Sequence, residues 1–229
     1  MIHVEEIARS SARLAELITV ENSDANVPSC PEWTLLDLVA HIGEVQTFWA
    51  HCISEGNADA PWQGEVAKPA SPRGAGSWLR EQTRLLISAI QSTPDESPCW
   101  TWWDEPLTAI AVARHQVQEA EVHRWDAELA VSVPSPIPVK VAIDGIPEFL
   151  HVHRASIQKL KLPHIQLSAT DSAGNWHVNE GEVETVAISG DASDLVLFLF
   201  GRLPIDKLLV AGKPDQIKTL VEALPEINY

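Results

Sequence analysis

The chain has little that would staple it together or carry it to a membrane or a nucleic acid. Its three cysteines, Cys30, Cys52 and Cys99, form no CxxC pair and no even framework, so they read as reduced thiols. No run approaches the ~18–20 apolar residues that a membrane-spanning helix needs. The opening stretch, MIHVEEIARSS, has acids where a secretory leader would have an apolar core. Basic residues are scarce: 16 Lys and Arg stand against 32 Asp and Glu, for a net charge of −16. So acidic a surface repels phosphate backbones and anionic headgroups, which argues against nucleic acid and membranes as partners. The expected setting is the cytoplasm.

What the chain does have is two helix-forming stretches with ligand-type residues on faces that should be dry. Residues 107–130, LTAIAVARHQVQEAEVHRWDAELA, hold no Gly or Pro after Leu107 and predict one long helix. Wound at about 100° per residue, the Glu119 side also carries Val112, His115, Gln116, Val122, His123, Asp126 and Ala130. Arg114, Glu121, Arg124 and Glu128 fall opposite, on the side expected to meet water. Residues 34–54, TLLDLVAHIGEVQTFWAHCIS, place His41 in a stripe with Leu38, Val45, Phe48, Trp49 and Cys52. A carboxylate and imidazoles that point inward are costly unless paired. A divalent metal held by His41, Glu119 and His123 would pair them. Two His and one carboxylate suit Zn²⁺ with an open fourth position, and they also suit non-haem iron. A buried hydrogen-bond network without metal would pair them too.

Around these helices, residues 3–20 predict an amphipathic helix. Val4, Ile7, Ser11, Leu14 and Ile18 share one face, and Glu5, Glu6, Arg9, Arg13 and Glu16 lie elsewhere. Residues 22–33 read as a loop, and Thr34 with Asp37 has capping-box spacing. Residues 56–76 are a long connection, and a third helix spans 77–92. The Trp-rich loop PCWTWWDEPL then leads into the 107–130 helix. Four helices with connections of mixed length predict a four-helix bundle. The segment VSVPSPIPV, residues 131–139, has three prolines and marks a domain boundary, which gives domains 1–133 and 139–229.

Beyond the boundary, residues 140–160 look helical, with Pro147 at a start or a kink. HIQLSAT, NWHVN and EVETVAIS read as antiparallel strands in a meander. ASDLVLFLF predicts a helix, KLLVAG a strand, and PDQIKTLVEAL a last helix with Pro214 at its start. The expected class is α+β, a helical bundle followed by a small α+β domain with an antiparallel sheet.

The strings PSCPEWTLLDLVAHIGEV and RHQVQEAEVHRWDAELA resemble the mycothiol-dependent maleylpyruvate isomerase family. AIDGIPEFL, the Trp176 strand and GDASDLVLFLFGRLP resemble its C-terminal domain. The resemblance implies a DinB-like bundle that holds a metal, usually zinc, and an α+β domain similar to sterol-carrier folds. On the matching positions the ligands are His41, Glu119 and His123. It also implies mycothiol, the low-molecular-weight thiol of actinobacteria, as the second cofactor. In the family reaction the thiolate adds to the cis double bond of maleylpyruvate, the resulting single bond rotates, and expulsion of the thiol leaves fumarylpyruvate. Zinc would lower the thiol pKa and orient the thiol. Gln118 stands where relatives often carry His, and Glu32 replaces a common Gly; neither change removes a ligand.

The remaining roles divide as follows. Asp126, one turn past His123, is either an acceptor for a ligand imidazole N–H or a solvated residue near the helix end. Arg202, in FGRLP, is the candidate cation for a dianionic substrate or a helix-terminal surface residue; Arg80 and Arg84 are weaker candidates. His115 is a hydrogen-bonded buried His or a proton shuttle, and Glu44 a solvated carboxylate or a rim group. Trp100, Trp102 and Trp103 wall the site or pack the core. Cys52 lies eleven residues from His41, about 16 Å along the axis, too far to be a ligand. The expected function is a zinc- and mycothiol-dependent isomerase, or a related thiol S-transferase, that acts on a small unsaturated or electrophilic acid. The alternatives are a metal-containing binding or regulatory protein of the same fold, and a metal-free structural protein.

Overall fold

A computed structural model describes residues 2–69, 71–179, 186–212 and 215–227. The chain divides into two compact units, Met1–Ser135 and Pro136–Tyr229, and the division falls within the proline-rich run. The first unit holds helices α1 (Ile2–Leu17), α2 (Leu35–Glu55), α3 (Ala75–Ser92) and α4 (Ala109–Val131). The segment before α2, expected as a loop, forms a short antiparallel hairpin of β1 (Asn26–Val27) and β2 (Cys30–Thr34).

Thr34 starts α2 with a full capping box. Its hydroxyl accepts the Asp37 N–H, and the Asp37 carboxylate accepts the Thr34 N–H. Gly56, at φ +62°, ends the helix in the left-handed conformation that glycine adopts without strain. Side-chain pairings set the helix directions. Gly43 lies under the Trp78 ring, where a Cβ would stand 2.1 Å from a ring carbon, and Thr47 donates to Gln82; α2 and α3 are therefore parallel. Parallel neighbours require the chain to return to the same end of the bundle, which explains the long connection between them. Gly76 meets the Ala15 carbonyl, and Ser11 meets Gln46 on α2, so α1 runs against both. Arg9 pairs with Glu121 and Arg13 with Glu128, so α4 runs parallel to α1. The bundle is up–down–down–up. Gln46 crosses its core, donating to Ser11 (2.7 Å) and accepting from Thr83 (2.7 Å), and ties three helices together.

One expectation fails here. The side of α4 opposite Glu119 does not meet water: Glu121 is 0%, Glu128 3% and Arg124 5% exposed. α1 covers that side and brings charge to match it. Arg9 reaches Glu6 and Glu121, and Arg13 Nε donates to Glu128 (2.9 Å). Arg124 bridges Glu121 (2.9 Å) and Glu128 (2.7 Å) along α4 and donates to the Ser135 carbonyl. A helix with charged residues of both signs at i, i+3 and i+4 looks solvated in sequence, yet it can be buried when its neighbour completes the ion pairs.

The second unit comprises α5 (Val139–Val152), α6 (Arg154–Lys159), β3 (Ile165–Ala169), β4 (Asn175–Asn179), β5 (Val186–Gly190), α7 (Ala192–Leu199), β6 (Leu209–Ala211) and α8 (Asp215–Ile227). The sheet order is β4-β3-β5-β6. β3–β4 and β5–β6 are antiparallel, but β3–β5 is parallel, so the strands do not form a simple meander. Burial accounts for this. β3 and β5 bury Ile165, Leu167, Val186 and Ile188 side by side, while polar β4 is left at the edge. After Asp194 in its first turn α7 is apolar and buried from Leu195 to Leu199, and it packs on α5, with Phe149 and Phe200 at 5.0 Å. Pro147 sits inside α5, and the helix breaks at His153 instead. Pro214, expected to open the last helix, lies outside the described residues.

Candidate metal centre

α2 and α4 pack side by side and antiparallel, which sets His41 against the turn from Glu119 to His123. His41 Nε2 lies 3.1 Å from Glu119 Oε1, and His123 Nε2 lies 3.5 Å from the same oxygen. One ligand atom from each of the three residues lies within 4.8 Å of the others. Ligands at about 2.0–2.1 Å from a tetrahedral zinc stand about 3.3–3.4 Å apart, so the two shorter spacings bracket a tetrahedral edge. Among the described residues this is the one group of three or more His, Cys, Asp or Glu side chains with such spacing. The cluster is not wholly inward. The His41 side chain is 31% exposed, Glu119 20% and His123 9%, so the cluster is most open at His41 and most closed at His123.

Without a metal the three groups satisfy one another. Burial alone would raise the Glu119 carboxyl, but the charge and hydrogen bond of His123, and then those of His41, hold it well below its ordinary 4.5. Burial would lower His123, but the Glu119 charge and the Asp126 hydrogen bond push it up to about 9. A cation entering the site would take the place of the proton on His123.

Asp126 is fully buried, not solvated. It accepts from His123 Nδ1 (2.9 Å) and from the Ser29 hydroxyl (2.6 Å). Because a carboxylate only accepts, Nδ1 carries the proton and Nε2 faces the cluster. Two participants were not foreseen. Ser29 lies in the hairpin before α2, and Trp33, on its second strand, has its ring 4.7 Å from His41 and 6.3 Å from His123. Both belong to the string PSCPEW, so the signal was present, but a segment read as a loop gave no direction for its side chains.

On the other side of the cluster, α4 continues into aromatics. His115 is 9% exposed, with Trp103 at 4.9 Å, Trp102 at 5.8 Å and Trp49 at 6.4 Å. Trp49 stacks on Trp100 at 5.9 Å, and Phe48 lies edge-on to Trp49 at 5.0 Å. Gln116 is buried, and neither its Oε1 nor its Nε2 has a hydrogen-bond partner among the described residues. An orphaned buried amide costs about 1–3 kcal/mol.

The other candidates lie elsewhere. Glu44 pairs with Lys68 (3.1 Å), and Arg84 is an exposed partner of Glu81 (3.0 Å). Arg80 is exposed on α3. Arg202 belongs to the second unit, where its guanidinium donates to the Phe200 carbonyl (2.8 Å). Cys30, Cys52 and Cys99 are all buried and free. Burial raises the Cys52 thiol, and with Cys52 nearby it pushes Cys99 up to about 12. Such thiols are poor nucleophiles.

Known proteins share this arrangement of helices. Two solved structures, of the mycothiol-dependent maleylpyruvate isomerase and of a histidine-to-alanine mutant of it, match over 94% of this chain and 93% of theirs. Each has a TM-score of 0.72, with 15% and 14% identity. No curated protein matches in sequence. A family model described as the mycothiol maleylpyruvate isomerase N-terminal domain matches residues 4–128, a span that takes in all four bundle helices to within a turn of the last one's end. With more than half of its length inside that match, the chain belongs to the mycothiol maleylpyruvate isomerase family.

Proposed function

We propose that this chain is a zinc- and mycothiol-dependent enzyme, either an isomerase of the maleylpyruvate-to-fumarylpyruvate type or a closely related thiol S-transferase. His41, Glu119 and His123 are its metal ligands in this reading. The observation that carries it is the pair of imidazole nitrogens at 3.1 and 3.5 Å from one Glu119 oxygen, with the far nitrogen of His123 already engaged by Asp126. Two imidazoles and a carboxylate match the donor set of an open zinc site. Zinc bound there would favour thiolate over thiol at the position that the protein leaves vacant. Asp126 fixes the tautomer and ring plane of His123, and the Ser29 hydroxyl fixes Asp126. The Trp33 ring lies beside His41, 4.7 Å between centroids. The buried cysteines take no part, so the reacting sulfur comes from outside the chain.

Metal analysis of the purified protein and of the His41→Ala variant tests the ligand set. About one zinc per chain is expected in the first, with a large loss in the second. Full occupancy in His41→Ala would refute the assignment. Turnover of maleylpyruvate with and without mycothiol, followed by the conversion to fumarylpyruvate, tests the reaction. A zinc-loaded protein inert with mycothiol and every unsaturated or electrophilic acid tried would favour a binding or regulatory role.

A further inference from the structure

The Gln116 turn of α4 and the apolar seam beside it form, we infer, the acceptor subsite of the thiol S-transferase, the second of the two reactions proposed above. It would take a planar, uncharged α,β-unsaturated carbonyl compound with an aromatic body. The inference rests on that reading for the reaction and on separate residues for the substrate. Gln116 precedes Glu119 by three residues, about 4.5 Å along the axis, and precedes His123 by seven, which sets it within about 20° of the same line. It is 1% exposed, with both amide atoms unpartnered among the described residues. Gln46, also buried in this bundle, shows what a structural glutamine does here: both its amide atoms are bonded, to Ser11 and Thr83. Gln116 has a donor and an acceptor in hand, one turn from the metal ligands, and a ligand carbonyl would occupy the donor.

The walls favour an apolar body around that carbonyl. Val45 and Phe48 follow His41 at i+4 and i+7 on α2, and both remain partly exposed. Trp102 is 49% exposed and lies 5.8 Å from His115, which also faces Trp49 at 6.4 Å. These surfaces offer ring faces and aliphatic carbons, which accept a flat conjugated molecule and desolvate a dianion at a loss. The chemistry closes without an oxidant. Thiolate addition forms a C–S bond at the β-carbon and breaks the C=C π bond. The electron pair moves to the carbonyl oxygen, where the Gln116 N–H would meet it, and the proton released by the thiol ends on the α-carbon.

Calorimetric titration of the zinc-loaded protein with 4-phenylbut-3-en-2-one, in the absence of any thiol, tests the subsite. Binding is expected in the wild type. Gln116→Leu should weaken it at least tenfold, with zinc content unchanged and Tm equal or higher, because the orphaned amide is gone. Gln116→Met serves if the leucine variant fails to fold. Trp102→Ala should weaken binding about threefold, and maleate should not displace the enone. Unchanged binding in Gln116→Leu or Gln116→Met, or preferential binding of maleate, would overturn the inference. A wild type that binds the enone but transfers no mycothiol to it would refute the proposed reaction and leave the subsite standing. One that turns over maleylpyruvate but binds no enone would do the reverse.

Discussion

α4 buries polar groups on two sides, and the two sides differ in kind. Toward α1, the buried carboxylates of Glu6, Glu121 and Glu128 meet the buried guanidinium of Arg124 and the half-exposed ones of Arg9 and Arg13, so that each carboxylate has a cation. Toward α2, two imidazoles converge on a single carboxylate oxygen, a second carboxylate holds one imidazole from behind, and Gln116 has no hydrogen-bond partner among the described residues. The first set is complete without a ligand and the second is not. Burial of charge alone would have flagged both sides equally; completeness separates scaffold from site.

The largest expected effect comes from Glu119→Gln on the α2 side. It removes the charge that both imidazoles face and should reduce thiol-dependent turnover by at least ~10³-fold and zinc content severely, while the far-ultraviolet dichroism stays helical. A zinc-replete, active Glu119→Gln protein would erase the distinction between the two sides. Arg124→Ala breaks the α1 side instead. Two buried carboxylates lose a partner, and unfolding free energy should fall by about 3–5 kcal/mol, with zinc per folded chain preserved. A fall in zinc without a fall in stability would reverse the assignment.

The same side should be sensitive to acid. Burial would raise Glu128, but the Ser135 N–H, then Arg13 and Arg124, lower it below its ordinary 4.5. Its contribution to stability is therefore present above that value and lost as pH falls through the lower, folded one. Chemical denaturation of wild type and Arg124→Ala across pH 3–6 should show the steeper acid loss in the wild type.

Asp126→Asn is a smaller perturbation that sharpens the α2 side. The amide can present its N–H to His123 Nδ1 and favour the wrong tautomer, so zinc affinity should drop ~10–100-fold in a competitive chelator titration. Equal affinity would reduce Asp126 to packing. The smallest effect is expected from replacing Cys30, Cys52 and Cys99 with Ser. Turnover with mycothiol should largely survive, at some loss of stability from the buried positions. A folded, zinc-loaded and inactive triple variant would place the reacting sulfur in the chain itself.

Much of the fold was legible in the pattern. Apolar periodicity located the four bundle helices to within a few residues, and Thr34 with Asp37 marked the start of α2. The i, i+4 spacing of Glu119 and His123 brought those two onto one face, but the partnership with His41, 78 residues away, needed the helices to be packed. What could not be read was pairing across elements. Nothing local in α1 announces that Arg9 and Arg13 serve α4, so Glu121, Arg124 and Glu128 looked solvent-facing. Nothing local in β5 says that it pairs with β3 instead of β4. Ser29 and Trp33 were hidden for a simpler reason: an irregular segment has no period from which to infer a direction.

The parallel pairing of α1 with α4 has a consequence for biogenesis. Arg9 waits 112 residues for Glu121, and Arg13 waits 115 for Glu128. Contacts of such separation form late, since the intervening loop entropy must be overcome first. During synthesis α1 leaves the ribosome long before its partner does, and in that interval its apolar face has only α2 and α3 to cover it. Docking of α4 is also the step that delivers Glu119 and His123 to His41. Closure of the bundle and assembly of the His41–Glu119–His123 cluster are thus one event, and a nascent chain that stops short of α4 can have neither.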